Sequence, residues 1–205
     1  MTRHLVIFAR APLFGRVKRR LARDIGTAEA TRFCQLVLRR LIAAMVRDPR
    51  WTVWLVVTPD TARRHPAWRG AVPPQRVRPQ GQGDLGQRMR RPFDELPPGP
   101  IVLVGSDIPG LRPRHVARAF ALLGRHELVL GPATDGGFWL IGARRRRALP
   151  RGLFSGVSWS TAEALADVRA RVPAEVRVGE ADTLDDVDSG ADWRRVSAVL
   201  KESGA

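Results

Sequence analysis

The 205-residue sequence has no tyrosine, one cysteine, four histidines and two lysines, Lys18 and Lys201. A single thiol, Cys34, excludes an internal disulfide and a thiolate-built zinc cluster, and its apolar helical surroundings suggest a core position. His4, His65, His115 and His126 are scattered without ligand spacing, so neither a histidine metal centre nor a histidine base is expected. No apolar run approaches the roughly 18 residues of a membrane-spanning helix. The opening MTRHLVIFAR has an apolar stretch of only about five residues and no small-residue cleavage site, which does not fit a signal peptide. These absences predict a soluble, cytoplasmic protein. The length suits one α/β domain over residues 1–205.

What is present is arginine. Lysine plus arginine total 35 against 20 acidic residues, a formal net charge of +15, while 44% hydrophobic and 27% charged residues make a globular balance. Such a charge can signal nucleic-acid binding. Near-exclusive use of arginine, with abundant alanine, glycine and proline, instead fits a GC-rich codon supply, and nucleic acid is not the expected partner. The charge is also uneven. Residues 1–50 carry 12 basic and three acidic groups, whereas residues 172–205 carry four and eight. A basic front and an acidic tail suit a site that holds phosphates and a divalent cation together.

Apolar runs at His4–Ala9, Trp51–Thr58 and Ile101–Gly105 read as buried strands, with shorter strands at Glu127–Leu130, Gly137–Ile141 and Val176–Val178. Between the first two lies a helix-compatible stretch ending near Arg47. Residues 60–83, rich in proline, predict loop with at most one short strand. Further helices are expected over Leu85–Leu96, over Arg114–Leu123, from a Ser160/Glu163 capping box to Ala170, and from Ser189 to about Leu200. Alternating strands and helices predict an α/β fold with a mostly parallel sheet. Ligands then bind beyond the carboxyl ends of the strands.

Five segments fall at or near such ends. Ala9–Leu21 (ARAPLFGRVKRRL) can wrap a diphosphate with Arg10, Gly15, Arg16, Lys18 and Arg19, or can be a solvated basic face. It contains no Walker loop and no G-x-G-x-x-G. In Val104–Pro109 (VGSDIP), Asp107 is a metal-ligand candidate or a turn residue. Asp135-Gly136-Gly137 is a turn that lets backbone approach a ligand closely, or an ordinary hairpin. Gly83-Asp84-Leu85-Gly86-Gln87-Arg88 can clasp a base or ribose, or cap a helix at Asp84. Asp182, Asp185, Asp186 and Asp188 repel one another unless solvated or holding a cation. Arg144–Arg147 is most simply a solvated loop, though it could contact phosphate or an acidic surface.

Taken in order, FARAPLFGRVKRRLA, GDLGQRM, VGSDIPGL, GPATDGGFWLIG, VSWST and DDVDS resemble an uncharacterised bacterial family of glycosyltransferase-A-like proteins of the nucleotide-diphospho-sugar transferase type. Some of its members are described as glycosyltransferases of arsenosugar biosynthesis. The Lys18-Arg19-Arg20-Leu21 element is also similar to the 2-phospholactate and phosphoenolpyruvate guanylyltransferases. The resemblance implies a three-layer Rossmann-like domain with the first loop on the phosphates and Gly83, Asp84, Gly86 and Arg88 on the nucleotide side. It further implies Mg²⁺ or Mn²⁺ on Asp107, with Asp186 or Asp188 completing the metal site, and Asp135, Gly136 and Gly137 lining the sugar or acceptor. The D-x-D pair of typical glycosyltransferases is reduced here to Asp107 alone, and the usual D-G-G-Y ends in Phe138.

The expected activity is metal-dependent glycosyl transfer from a nucleotide sugar to a small acceptor. Lys18, Asp107 and Asp135 are its catalytic candidates, Asp135 being the one candidate base. Two alternatives stand beside it: nucleotidyl transfer onto a phosphorylated small molecule, and a catalytically silent nucleotide- or RNA-binding domain.

Overall fold

The computed structural model describes residues 1–187 and 189–195. Asp188 and the expected end of the last helix near Leu200 lie outside the described residues. The first strand, β1 (His4–Arg10), sends Leu5, Ile7 and Ala9 to one face of the sheet and Val6 to the other, and all four are fully buried. That two-sided burial is why the run is continuously apolar rather than alternating. It pairs in parallel with β2 (Thr52–Thr58) on one side and with β4 (Ile101–Gly105) on the other. Adding β3 (Val77–Pro79), β5 (Leu128–Pro132), β6 (Phe138–Ala143) and β7 (Val178–Glu180) completes a seven-stranded sheet of order β3-β2-β1-β4-β6-β5-β7. Only β6 runs against the others. The fold is thus mixed α/β with a mostly parallel sheet.

Helices cover both faces. On one, α2 (Thr27–Val46) and α4 (Pro113–Leu122) bury Leu38, Leu41, Met45, Val116 and Phe120 against β1, β2 and β4. On the other, α3 (Leu85–Glu95) and α5 (Ala164–Ala170) bury Met89, Phe93 and Val168. Trp51 and Trp54 fall in opposite layers, as their strand spacing requires. Among the described residues, no helix is long and apolar enough to cross a membrane.

Four local expectations change. The stretch ending near Arg47 is two helices, because Gly26 at φ 85° breaks it between α1 (Arg19–Ile25) and α2. The last strand starts at Val178 rather than Val176, since its register is set by pairing with Leu128–Leu130 of β5. Ser160 does not cap a helix: it adopts φ 65°, and α5 begins at Ala164. A tertiary bond substitutes for the cap, the Leu165 N–H donating to the Gly136 carbonyl at 3.1 Å. Cys34 is half-buried and lines a cavity instead of the core.

Candidate active site

With β6 alone reversed, the carboxyl ends of β1 to β5 and the start of β6 share one edge of the sheet. A cavity of about 630 Å³ opens there. Arg10 closes β1, Thr58 closes β2, Gln80 follows β3, Asp107 follows β4, and Asp135 lies in the β5–β6 turn. Phe138 and Trp159, with ring centroids 6.3 Å apart, line it together with Trp139, and Asp84 and Arg88 come from the start of α3. A second cavity of about 360 Å³ shares Arg10, Ser106, Asp107 and Ser160 with the first and adds Arg16, Lys18, Arg19 and Arg20.

Lys18 joins the two. Its backbone is left-handed, φ 44° and ψ 52°, at the N-terminus of α1, and its side chain is only 7% exposed. The ammonium lies 3.3 Å from Asp107 Oδ2 and 3.9 Å from Asp186 Oδ2. A non-glycine residue in this backbone region carries strain of order 1–3 kcal/mol, which the surrounding packing must offset. Asp107 also accepts the Ser106 hydroxyl at 3.2 Å, and its side chain is 53% exposed.

Asp186 reaches this point through packing far away in sequence. Its neighbour Val187 is fully buried in a small cluster with Leu21, Ala30, Phe33 and Val37 of α1 and α2. The Gly190 N–H donates to Asp24 of α1 at 2.7 Å. On the other side, Leu184 bridges to Ala133 beyond β5, and the Thr134 hydroxyl donates to Asp185 at 2.6 Å. Asp182 pairs with Arg118 at 3.0 Å. Of the described acidic residues in this segment, Asp186 is therefore the one aligned with Asp107, while Asp182 and Asp185 are engaged elsewhere and Asp188 is not described.

The donor chemistry fits a hard divalent cation. Two carboxylates converge on one ammonium-sized point, and Mg²⁺ or Mn²⁺ is commonly held by one or two carboxylates plus substrate phosphates. Among the described residues, no three His, Cys, Asp or Glu side chains gather into a metal centre, so further ligands would have to come from substrate or water.

The remaining candidates separate by role. Arg10, Asp84, Arg88, Asp107, Asp135, Gly137 and Asp186 line the larger cavity, and Arg10, Arg16, Lys18 and Arg19 the smaller. Asp84 is a helix cap as well as a lining residue, accepting the Gln87 N–H at 2.8 Å in a reciprocal capping box. Asp135 accepts the Gly137 N–H at 2.9 Å. Gly15, Gly83, Gly86 and Gly136 shape turns and packing and line neither cavity. At Gly86 an added methyl would strike Phe154 and Trp159.

Thr58 and Gln80 belong to the site without having been singled out from sequence, and Trp139, Trp159 and Ser160, present in the quoted motifs without a site role, line it as well. Gln80, 3% exposed, donates to the carbonyls of Ala9 and Val56 and accepts the Arg88 guanidinium at 3.1 Å, so it aims Arg88 into the cavity. Applying the carboxyl-end rule to β2 as well as β1 and β4 points to Thr58, whereas Gln80 follows β3, a three-residue strand in a stretch that reads as loop.

A family model described as "Uncharacterized protein conserved in bacteria (DUF2064)" matches residues 41–161. No curated protein sequence matches the chain. Among solved structures, the fold is similar to a Desulfovibrio desulfuricans G20 protein provisionally named a nucleotide-diphospho-sugar transferase, with 26% identity, a TM-score of 0.83, and coverage of 96% of this chain and 87% of that one. It is similar at lower identity, 10%, to the 4-diphosphocytidyl-2C-methyl-D-erythritol synthase of Anaerococcus prevotii DSM 20548, with a TM-score of 0.64 and coverage of 98% and 96%. Glucosyl-3-phosphoglycerate synthase of Mycobacterium tuberculosis, solved with Mn²⁺, UDP and glucosyl-3-phosphoglycerate, shares 14% identity at a TM-score of 0.53, covering 97% and 78%. The latter two likenesses concern the fold alone.

Proposed function

The chain belongs to the bacterial DUF2064 family, and from that premise we propose that it is a transferase using a nucleotide-activated donor, in the first instance a glycosyltransferase acting on a nucleoside-diphosphate sugar. The observation that carries this reading is the buried Lys18 ammonium set between Asp107 and Asp186 at the carboxyl edge of the sheet. Asp107 and Asp186 would hold Mg²⁺ or Mn²⁺, which when bound supplies charge neutralisation to the diphosphate. Lys18, Arg10, Arg16 and Arg19 neutralise the same leaving group from the protein side, where preorganised charge acts most strongly. Arg88, aimed by Gln80, faces the nucleoside, and the paired rings of Phe138 and Trp159 shield the reacting end from water. Asp135, beside the Gly137 turn, is the group available to take a proton from an acceptor hydroxyl.

A panel of nucleoside diphosphates, triphosphates and sugar nucleotides, each with and without Mn²⁺, tests this by thermal shift. A true ligand at a hundredfold excess over Kd stabilises the fold by about 2.7 kcal/mol. Stabilisation by sugar nucleotides that requires Mn²⁺ supports the reading, and no response to any nucleotide refutes it.

A second reading, nucleotidyl transfer from a nucleoside triphosphate, is favoured by the smaller cavity. Arg10, Arg16, Lys18, Arg19 and Arg20 bring more positive charge there than a metal-bound diphosphate needs. A triphosphate would lay its departing pyrophosphate among them. In the same panel, triphosphates stabilising more than sugar nucleotides decides for it.

A further inference from the structure

A separate cavity of about 500 Å³ opens at the opposite edge of the sheet, where β4 begins and β6 ends. The five residues of β4 set it roughly 16 Å of strand away from the catalytic edge, too far for one small ligand to span. Arg144 to Arg147 and Arg177 contribute cations, and Leu128, Leu149 and Val176 supply apolar surface.

Arg145 anchors the arginine run to the neighbouring turn. Arg145 adopts φ 56° and donates to the carbonyls of Leu96 and Pro97 at 2.8 Å and of Gly99 at 3.3 Å. Arg90 fixes the adjoining turn by donating to the carbonyls of Pro150 at 2.9 Å and Leu149 at 3.3 Å. Arg145 is thereby used up in structure, and its neighbours Arg144, Arg146 and Arg147 form no ion pair among the described residues. The carboxylate of Glu127 is already engaged with the Arg177 N–H at 3.0 Å and its guanidinium at 3.6 Å. Glu175 is the other acid in the lining. Three further arginines therefore line one wall of the cavity with little internal countercharge.

We propose that this cavity is a second anion site, distinct from the catalytic cleft, that takes a small molecule bearing two phosphate groups. Each guanidinium presents a planar fork of donors matched to phosphate oxygens, and the five arginines of the lining less Glu127 and Glu175 leave a net charge of +3, more than the roughly −2 of one phosphate group. The volume lies within the range of about 300–1,000 Å³ typical of small-molecule sites, and the apolar floor suits an organic body between or beside the phosphates. Single-stranded nucleic acid is the poorer match. Such strands bind along open grooves with aromatic side chains for stacking, and no aromatic residue lines this cavity.

Inorganic pyrophosphate, titrated calorimetrically into the full chain in the presence of a metal chelator, is the direct probe. The wild type and Lys18→Ala should bind it alike at this site, and Arg146→Ser/Arg147→Ser should bind roughly tenfold or more weakly. A control pair on the exposed face of α2, Arg39→Ser/Arg40→Ser, removes the same charge and should leave binding unchanged. Both pairs alter exposed side chains, and circular dichroism verifies that each variant is folded. Absence of pyrophosphate binding by the wild type overturns the proposal, as does equal loss in the two arginine pairs, which would indicate diffuse net charge. Complete loss in Lys18→Ala, with no remaining binding that depends on Arg146 and Arg147, would assign the binding to the catalytic cleft and likewise overturn it. A single-stranded RNA that binds more tightly than pyrophosphate, and is lost in the same Arg146/Arg147 variant, would replace the small molecule by nucleic acid.

Discussion

Replacing Lys18 by methionine should strengthen the binding of Mn²⁺ alone while weakening the binding of nucleotide. The ammonium occupies the space between the two carboxylates that a divalent ion would use, 3.3 Å from Asp107 and 3.9 Å from Asp186, with a side chain 7% exposed. Charges at about 4 Å attract by roughly 1 kcal/mol in water and up to about 4 kcal/mol at the effective dielectric of a protein surface. A hydrogen bond to a charged group has a net worth of about 1.5–3 kcal/mol. A metal entering without nucleotide must displace that contact, which lowers its affinity about ten- to a hundredfold. A phosphate that draws Lys18 away removes the competition, so metal and nucleotide should bind with positive coupling. Methionine keeps most of the side-chain volume and discards the charge. Titration of Mn²⁺, followed by electron paramagnetic resonance of the free ion, should therefore show an apparent Kd about tenfold or more lower in Lys18→Met than in wild type. With a nucleoside diphosphate present, the order should reverse. Unchanged or weaker Mn²⁺ binding by the variant in the absence of nucleotide would refute the competition.

Asp107→Asn preserves shape and should abolish the Mn²⁺-dependent part of nucleotide stabilisation, whereas Asp135→Asn should keep that binding and lose turnover. Thermal shift and single-turnover assays separate the two, and undiminished Mn²⁺ dependence in Asp107→Asn would leave Asp107 a turn residue. Stability should fall as pH drops below about 6.5, the ordinary histidine value. Burial, which the Pro98 carbonyl only partly opposes, lowers the His4 pKa, and its Nδ1 accepts the Trp54 indole N–H at 3.2 Å. The unfolded chain thus takes up protons before the folded one does, so stability is full above the unfolded pKa and is lost on acidification. Denaturant unfolding between pH 5 and 8 measures the slope, and His4→Gln should reduce it, burial of His65 and His115 supplying the remainder. Gly136→Ala should destabilise by about 1–2 kcal/mol from its left-handed backbone alone, since φ is 84°, and the added methyl would also collide with the Ala162 carbonyl. A melting temperature equal to wild type would count against that turn geometry.

Strands buried on both faces declare themselves in the chain, because a segment covered by helices above and below tolerates polarity only where a buried partner satisfies it, as Trp54 does for His4. HLVIFA and IVLVG are such segments, and the alternation of strands with helices then requires a parallel sheet with its ligand edge at the carboxyl ends. That reasoning reaches Arg10, Lys18, Asp107 and Asp135 with no coordinates, since each follows a strand closely. It does not reach Gln80, whose strand is only three residues long and lies in a proline-rich stretch that reads as loop. Nor does it choose among the described aspartates of the acidic segment, Asp182, Asp185 and Asp186, for charge and spacing along the chain are nearly the same for each. The choice of Asp186 comes from Val187 buried under α1 and α2, from Leu184 bridging to Ala133, and from Asp185 taken by Thr134. Those partners lie 50 residues or more away in the chain. Local periodicity registers which side chains must be hidden from water, but which carboxylate faces which cation depends on how separately formed elements meet.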